Sequence, residues 1–182
     1  GNDNTASNTY TLTIETVEPT VTITSSSGDS GDTVGATTLS YTATFSESTS
    51  NFVVGDITVT GTANGGSPAA SNFAGSGTTY TFDVVKGSSD GTVLVSVAAG
   101  AATDAAGNDN TAPTEFNWTY DSTKPHMTIS AVQGSDGFLS NDPTLSLTFT
   151  SNEATSNFVV GDITVTNGSL SSFSQTSSTV YN

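Results

Sequence analysis

The side chains able to do chemistry in this sequence are almost all carboxylates. The 182 residues include 17 Asp or Glu, two Lys, no Arg, no Cys and one His, and the formal net charge is −15. Without Cys there is no disulfide, thiol nucleophile or thiolate metal site. The single histidine, His126, has no second histidine with which to form a metal or acid–base pair. What remains is carboxylate chemistry, which means either binding of a hard cation or acid–base catalysis by paired acids.

The acidic balance also excludes whole classes of partner. Nucleic acids and anionic membranes are bound mainly through Lys and Arg, which are nearly absent here. No apolar run approaches the roughly 20 residues that cross a bilayer, so no membrane insertion of this segment is expected. Catalysis is not expected either, because glycoside hydrolysis by paired carboxylates needs a cleft with aromatic subsites. No long insertion is present that would build such a cleft.

The elements that position the carboxylates occur twice. GNDNTA occupies residues 1–6 and again 107–112, while SNFVVGDITVT occupies 50–60 and again 156–166, so that both pairs are offset by 106 residues. Over the 60 positions that align without a gap at this offset, 30 are identical. Self-similarity of this kind at a fixed period is the signature of a repeat protein.

The phase of the repeat predicts the domain organisation. Residues 1–18 match the last part of a repeat, 19–124 form a complete repeat, and 125–182 match only the first part of another. Half a repeat does not bury its own apolar face. The expectation is therefore a segment of a longer tandem array, in which both ends of the chain lie inside a repeat.

Each repeat is predicted to be a β-sandwich. Apolar residues alternate with Thr and Ser at a spacing of two, which is typical of strands with one buried face. About seven short strands fit the repeat, and a composition rich in Thr and Val disfavours helix. The predicted fold class is all-β, with tandem immunoglobulin-like β-sandwiches of about 106 residues and essentially no helix; a closed barrel is the alternative. The apolar positions predicted to face the core are Val21, Ile23, Leu39, Tyr41, Ala43, Phe45, Ile57, Val59, Tyr80, Phe82, Val84, Val93, Val95, Val97, Phe116, Trp118 and Tyr120.

In such a sandwich, oxygen ligands from three segments meet at one end. Successive strands are antiparallel, so the loops after the second, fourth and sixth strands gather where the first strand begins. Ca²⁺ accepts six to eight oxygen ligands in tolerant geometry, whereas Mg²⁺ demands a strict octahedron. We therefore predict Ca²⁺ at each junction between repeats. The predicted ligands are Glu15, Glu18, Glu47, Asp104, Asn108 and Asp109 at the first junction and Asp121 and Glu153 at the second.

A second interpretation of these residues stays open. Asp, Asn and Gly are also common turn formers, so the DAAGNDN segment could be only a well-capped loop. In that case the Glu side chains would be no more than solvated charges.

The motifs around these residues resemble a known family over the whole chain. PTVTITS, NFVVGDITVTG, the DAAGN loop and the closing DSTKP are similar to the bacterial Ig-like repeats of large cell-surface adhesins. The resemblance implies extracellular arrays that act as stalks or fibres, often stiffened by calcium at the junctions. Such repeats also occur in surface proteins of microbial eukaryotes. The first junction departs from the second, since it reads ETVEP in place of DSTKP.

The predicted function is a structural spacer of an extracellular filament or giant cell-surface adhesin, located at the cell surface. Its predicted partners are the neighbouring repeats of the same chain. One alternative is a self-assembling subunit of a cell-surface appendage or sheath, whose partners would be identical chains. The other is a carbohydrate-binding module, whose partners would be glycans. Asn117 and Asn167 begin N-glycosylation sequons, which have a chemical meaning only in a eukaryotic secretory pathway.

Overall fold

The protein consists of two compact units, here called unit 1 (Gly1–Ser122) and unit 2 (Thr123–Asn182). Apart from strands, the described part of the chain holds only two short 3-10 turns, Val54–Asp56 and Val160–Asp162, and no α-helix. No described helix is long and apolar enough to span a membrane. The predicted all-β class is therefore confirmed. The computed structural model describes residues 1–63, 69–85, 87, 89–112 and 115–182.

Unit 1 is a sandwich of two sheets. Its strands are β1 (Val21–Ser25), β2 (Thr33–Val34), β3 (Thr38–Thr49), β4 (Ile57–Thr60), β5 (Ala70–Val85), β6 (Gly91–Val97) and β7 (Phe116–Tyr120). One sheet has the order β1-β3-β5 and the other has the order β2-β7-β6-β4. Neighbouring strands are antiparallel except β2 and β7, which are parallel.

The core of unit 1 lies between the two sheets. Along β3 every second side chain is buried, and the Ser and Thr residues between them face outward. β6 supplies Val93, Val95 and Val97 from the opposite sheet, each no more than 2% exposed. The core positions predicted from the alternation are buried, except Ile23 and Val59, which pack partly buried against the same core. A period of two is enough to specify them, because successive side chains of a strand point to opposite faces.

A small aromatic cluster recurs in both units. In unit 1 the Tyr80 hydroxyl donates to the carbonyl oxygen of Thr49 at 3.0 Å, and in unit 2 the Tyr181 hydroxyl donates to that of Thr155 at 2.9 Å. Two phenylalanines at equivalent places pack against each tyrosine, with ring centroids 5.0–5.9 Å apart, and Phe45 adds a third ring against Tyr80 at 5.8 Å. The repeated sequence thus produces the same local structure twice. The phenylalanines are Phe52 and Phe73 in unit 1 and Phe158 and Phe173 in unit 2.

Unit 2 has four strands, β8 (Met127–Ala131), β9 (Leu147–Ser151), β10 (Gln175–Ser177) and β11 (Val180–Tyr181). They form one sheet of order β10-β11-β9-β8. Residues 163–166 repeat the sequence of β4 but do not form a strand. In unit 1, β4 pairs with β6, and the described strands of unit 2 include no counterpart of β6. A cleft of about 620 Å³ in unit 2 is lined in part by Leu147, Phe149 and Ile163.

Residues 1–20 form no strand. Tyr10, Leu12 and Ile14 alternate with Thr as the apolar residues of β7 do, yet they are 87%, 70% and 77% exposed. β7 is paired on both sides, with β6 and with β2. Among the described residues of unit 1, no strand pairs with the N-terminal segment, and a strand without a paired neighbour is not stable.

Candidate metal centre

The segment before β1, here called the linker (residues 15–20), is held between the end of β3 and the loop before β7. The Pro19 carbonyl oxygen accepts the Thr111 N–H at 2.9 Å, which joins the linker to the loop before β7. The Thr20 N–H donates to Ser46 Oγ, and the Ser46 N–H donates to the Thr20 carbonyl oxygen, both at 2.9 Å. The linker, the end of β3 and the loop before β7 therefore meet at one end of unit 1.

Three carboxylates converge at this end, and we call them the carboxylate cluster. They belong to Glu15, Glu47 and Asp104, and one oxygen from each lies within 4.8 Å of the others. Glu47 lies where the register of β3 on β5 shifts, between Thr44 and Thr49, and such bulges bend a strand and redirect its side chains. Among the residues that the structure describes, no other group of three His, Cys, Asp or Glu side chains is close enough to hold one metal ion.

Asp104 organises its own loop. Its Oδ1 atom accepts the N–H groups of Ala106, Gly107 and Asn108 at 2.7–2.8 Å. Gly107 has φ +93°, a conformation that glycine adopts without the steric cost other residues meet. These bonds explain the DAAGN pattern and leave Asp104 only 8% exposed. They occupy Oδ1, whereas Oδ2 accepts the side-chain amide of Asn108.

The Asn108 side chain connects two members of the cluster. Its Nδ2 atom donates to Asp104 Oδ2 at 2.9 Å, to Glu15 Oε2, and to the Glu15 carbonyl oxygen at 3.4 Å. One amide nitrogen thus lies among three oxygens, two of them from carboxylates. Because the amide carries its oxygen beside its nitrogen, rotation about χ2 would place Oδ1 at the same point.

The cluster concentrates negative charge. None of the described residues of unit 1 is Lys, Arg or His. Burial raises the pKa of Glu47, and the carboxylates of Glu15 and Asp104 raise it further. By contrast, the hydrogen bond from the Asn108 side chain is the main cause that lowers the pKa of Asp104 to about 2. The arrangement disfavours full ionisation of the cluster and favours a bound cation that would neutralise it.

Acidification without Ca²⁺ is expected to remove the stability that Asp104 contributes. Its pKa is about 2 in the folded state and 3.8 without these interactions, so the contribution is present above pH 4 or so and is lost as the pH falls towards 2. Glu47 has the opposite sign: its raised folded pKa favours the folded state while it is protonated, and this advantage disappears as the pH rises through that pKa. Thermal melts across pH should show that Asp104→Asn flattens the acid side of the curve. An unchanged acid side would contradict this assignment.

The other predicted ligands lie outside the carboxylate cluster. Glu18 is exposed. Asp109 is exposed as well, and its backbone forms an isolated bridge to Thr103 across the loop. Asp121 follows β7 in unit 1, and Glu153 follows β9 in unit 2, at the positions that correspond by sequence to Glu15 and Glu47. The structure thus brings together four of the six residues predicted at the first junction, namely Glu15, Glu47, Asp104 and Asn108.

Sequence reasoning missed two asparagines that support the site. Asn110 is 2% exposed, and its side-chain oxygen accepts the Ala102 N–H at 2.7 Å. Asn51 Oδ1 accepts the Thr103 N–H at 2.7 Å, which ties the loop after β3 to the loop that carries Asp104. The available signal for Asn110 was its identity with Asn4 in the duplicated GNDNTA.

Comparison with known proteins gave one family and one solved structure. The sequence model of a family described as bacterial Ig-like domain matches residues 15–120 and 121–182. The chain is also similar to the crystal structure of the N-terminal part of the bacterial S-layer protein SbsC, with 14% identity and a TM-score of 0.37, over 75% of this chain and 41% of that one. This likeness is too low to carry an argument. No match was found among curated proteins.

Proposed function

Because this chain belongs to the bacterial Ig-like domain family, we propose that it is a structural spacer of an extracellular filament or giant cell-surface adhesin. The family is generally non-enzymatic, and membership supports a structural role at the cell surface. In the proposed array, residues 1–18 end one repeat, 19–124 form a complete repeat and 125–182 begin the next. The number of repeats then sets the length of the spacer, and the junctions set its stiffness.

The observation that carries the junction part of this proposal is the carboxylate cluster. Glu15 belongs to the linker, whereas Glu47 belongs to the end of β3 and Asp104 to the loop before β7. A cation bound to all three would fix the path of the linker relative to the sandwich. Ca²⁺ is the proposed ion, because it accepts carboxylate, amide and carbonyl oxygens in flexible geometry and completes its shell with water.

The contacts of Asn108 support a cation at this position. Its Nδ2 atom donates to oxygens of both Glu15 and Asp104. Because Asn108 Nδ2 lies among carboxylate and carbonyl oxygens, it occupies the position that a bound cation would take. In the proposed Ca²⁺ state the amide turns and offers Oδ1 as a further ligand, together with the Glu15 carbonyl oxygen.

Ca²⁺ is expected to bind the full chain and raise the melting temperature of unit 1. Extracellular Ca²⁺ modules typically have dissociation constants of about 10⁻⁴–10⁻³ M. Free Ca²⁺ at about 100 times the dissociation constant would stabilise the folded state by about 2.7 kcal/mol. Titration calorimetry at millimolar Ca²⁺ measures the binding, and thermal melts at about 10–100 mM Ca²⁺, which is 100 times such dissociation constants, measure the stabilisation. Mg²⁺ should have a weaker effect than Ca²⁺, because it demands stricter geometry.

Glu47→Gln is expected to have opposite effects in the two conditions. Without Ca²⁺ it removes a like charge from the cluster, so the melting temperature at pH 7 should rise. With Ca²⁺ it removes a ligand, so most of the Ca²⁺-induced rise should disappear. Glu18→Gln is the matched control, since it makes the same change of charge outside the cluster. A wild-type chain that gives no heat and no shift with Ca²⁺, or a Glu18→Gln chain that loses the response as Glu47→Gln does, would refute this site.

A further inference from the structure

The apolar side of the sheet in unit 2 is only partly covered. Leu145 is 45% exposed, whereas Leu39, the corresponding residue of unit 1, is 1% exposed. In unit 1 the opposite sheet, which contains β6 and β7, covers this side, and the described strands of unit 2 include no counterpart of that sheet. Leu145, Leu147 and Phe149 line the cleft of about 620 Å³, and we call these three residues the acceptor face.

Residues 9–15, here called the donor segment, carry apolar side chains that face the solvent. Tyr10, Leu12 and Ile14 are all exposed and alternate with threonine. At the repeat offset of 106 residues they correspond to the three buried aromatic residues of β7. The donor segment thus has the pattern of the strand that packs, in unit 1, against the equivalent of the acceptor face.

Unit 1 shows how such a strand packs on this face. Phe116 of β7 lies edge-on against Tyr41 of β3, with ring centroids 5.3 Å apart. At the same offset Tyr41 corresponds to Leu147 of the acceptor face, and Phe116 corresponds to Tyr10 of the donor segment. The same arrangement in unit 2 would therefore bring Tyr10 onto Leu147 and cover it.

The pairing of β2 with β7 supplies the register for a donor strand. Thr33 lies opposite Thr119 in this parallel pair, and the offset of 106 residues transfers the pair to Leu139 opposite Thr13. Residues 138–140 form no strand, and Leu139 is 100% exposed. The backbone beside which a donor strand would pair is therefore accessible.

The donor segment and the acceptor face are both uncharged in a strongly acidic chain. No Asp, Glu, Lys or Arg lies between Asp3 and Glu15 or between Asp142 and Glu153, although the net charge is −15. Repulsion opposes the approach of two such molecules, but a contact between these two stretches brings no carboxylates together within it. Charge thus favours the donor segment of a second copy as the occupant of the acceptor face.

We propose that the donor segment of one copy inserts as a strand beside residues 139–140 of a second copy and covers its acceptor face. The inserted strand gains a backbone partner and buries its three apolar side chains, which the described part of a single copy does not provide. Because the donor and the acceptor are different surfaces, the contact joins copies head to tail. Only one edge of the inserted strand is paired, so we expect a reversible association. The inference goes beyond the proposed spacer function, since it links separate chains.

Disulfide trapping between two variants of the full chain tests the inserted strand. One variant carries Thr13→Cys and the other Leu139→Cys, and the protein has no cysteine of its own. Neighbouring strands lie about 4.8 Å apart, a Cα separation that a disulfide spans. Under mild oxidation the mixture should give several-fold more mixed dimer, identified by mass spectrometry of the linked peptides, than a mixture of Thr13→Cys with Val132→Cys. Val132 is 79% exposed and lies outside the acceptor face.

Sedimentation of the cysteine-free chain over a range of concentrations measures the association itself. Leu12→Asp is expected to weaken it by about tenfold or more, because it places a charge where the apolar side chain is buried. Thr11→Asp is the matched control, since it adds the same charge at the next residue, which corresponds to the exposed Asn117, and it should change the association by no more than about twofold. Both residues lie before β1, outside the sandwich of unit 1, so neither change disturbs its core.

Three results would overturn the inserted strand. The first is a wild-type chain that sediments as a single copy at every concentration. The second is equal weakening by Leu12→Asp and Thr11→Asp. The third is equal trapping of Thr13→Cys by Leu139→Cys and Val132→Cys.

The same measurements in EDTA separate this inference from the proposed function. Association and trapping that persist without Ca²⁺ support the inserted strand, whether or not the carboxylate cluster binds Ca²⁺. Absence of Ca²⁺ binding would defeat the junction proposal and leave the inserted strand standing. A chain that binds Ca²⁺ but stays a single copy would defeat the inserted strand and leave the junction proposal standing.

Discussion

Replacement of Asn110 by alanine is expected to lower the free energy of unfolding of unit 1 by about 3 kcal/mol or more. Its Oδ1 accepts the Ala102 N–H at 2.7 Å, and its Nδ2 donates to the carbonyl oxygens of Ala98 and Thr111 at 3.1 and 2.9 Å. The side chain is 2% exposed. Alanine would leave these backbone groups without their partner, at about 1–3 kcal/mol for each buried group.

Asn4→Ala provides a matched control, because Asn4 occupies the same place in the first copy of GNDNTA. Asn4 is exposed and donates only to the neighbouring Thr5 carbonyl at 3.4 Å. Its replacement is expected to change the free energy of unfolding by less than about 0.5 kcal/mol. Urea denaturation followed by circular dichroism measures both variants. Similar losses at the two positions would show that the buried bonds of Asn110 do not stabilise the loop.

The core of unit 1 could be predicted from local pattern alone. In β3, Leu39, Tyr41 and Ala43 alternate with polar residues, and the period of two specifies one buried face. Tertiary structure adds nothing to that inference, since the pleat of a strand fixes which side chains share a face. The same holds for the absence of α-helix, which follows from the high content of Thr and Val and the scarcity of straight-chain residues.

The membership of the carboxylate cluster could be predicted only in part. Topology identifies the end of the sandwich at which the linker and the loops meet, but it does not distinguish between neighbours in sequence. Glu15 is bonded to Asn108 and joins the cluster, whereas Glu18, three residues later, does not. Asp104 joins because its loop folds around its own carboxylate, and Asp109 does not. These choices depend on loop hydrogen bonds that connect distant residues, which periodicity does not describe.

The second unit shows why identical sequence does not ensure identical structure. ITVT forms β4 in unit 1 but no strand at residues 163–166. A strand needs a partner for its backbone N–H and carbonyl groups, and β6 supplies it in unit 1. The Thr49–Tyr80 contact is reproduced in unit 2 because all its members lie within the repeated segment. A repeat therefore reproduces a contact when all its members lie within the repeated segment, and it does not reproduce a strand whose partner is missing.

Trp118→Ala is expected to lower the free energy of unfolding of unit 1 by about 3–5 kcal/mol, the usual cost of deleting a fully buried large aromatic side chain. Trp118 is 1% exposed at the centre of β7 and packs edge-on against Tyr120 at 6.2 Å. Circular dichroism in urea is the appropriate measurement, since this is the protein's only tryptophan and its replacement removes the tryptophan fluorescence.

Trp118→Phe separates packing from hydrogen bonding at the same position. Trp118 Nε1 is buried, and no protein atom in the described part of the chain meets strict hydrogen-bond geometry towards it. The Tyr41 hydroxyl is nevertheless close to it: burial raises the pKa of this hydroxyl, and a hydrogen bond with the Trp118 side chain opposes that rise. Phenylalanine keeps an aromatic ring in the core and gives up only this poorly aligned contact with Tyr41, so its cost should be less than half of that of alanine. A loss as large as that of Trp118→Ala would mean that the indole N–H forms a strong hydrogen bond, to the Tyr41 hydroxyl or to a buried water. If the loss is small, ring packing accounts for most of what Trp118 contributes to the stability of unit 1.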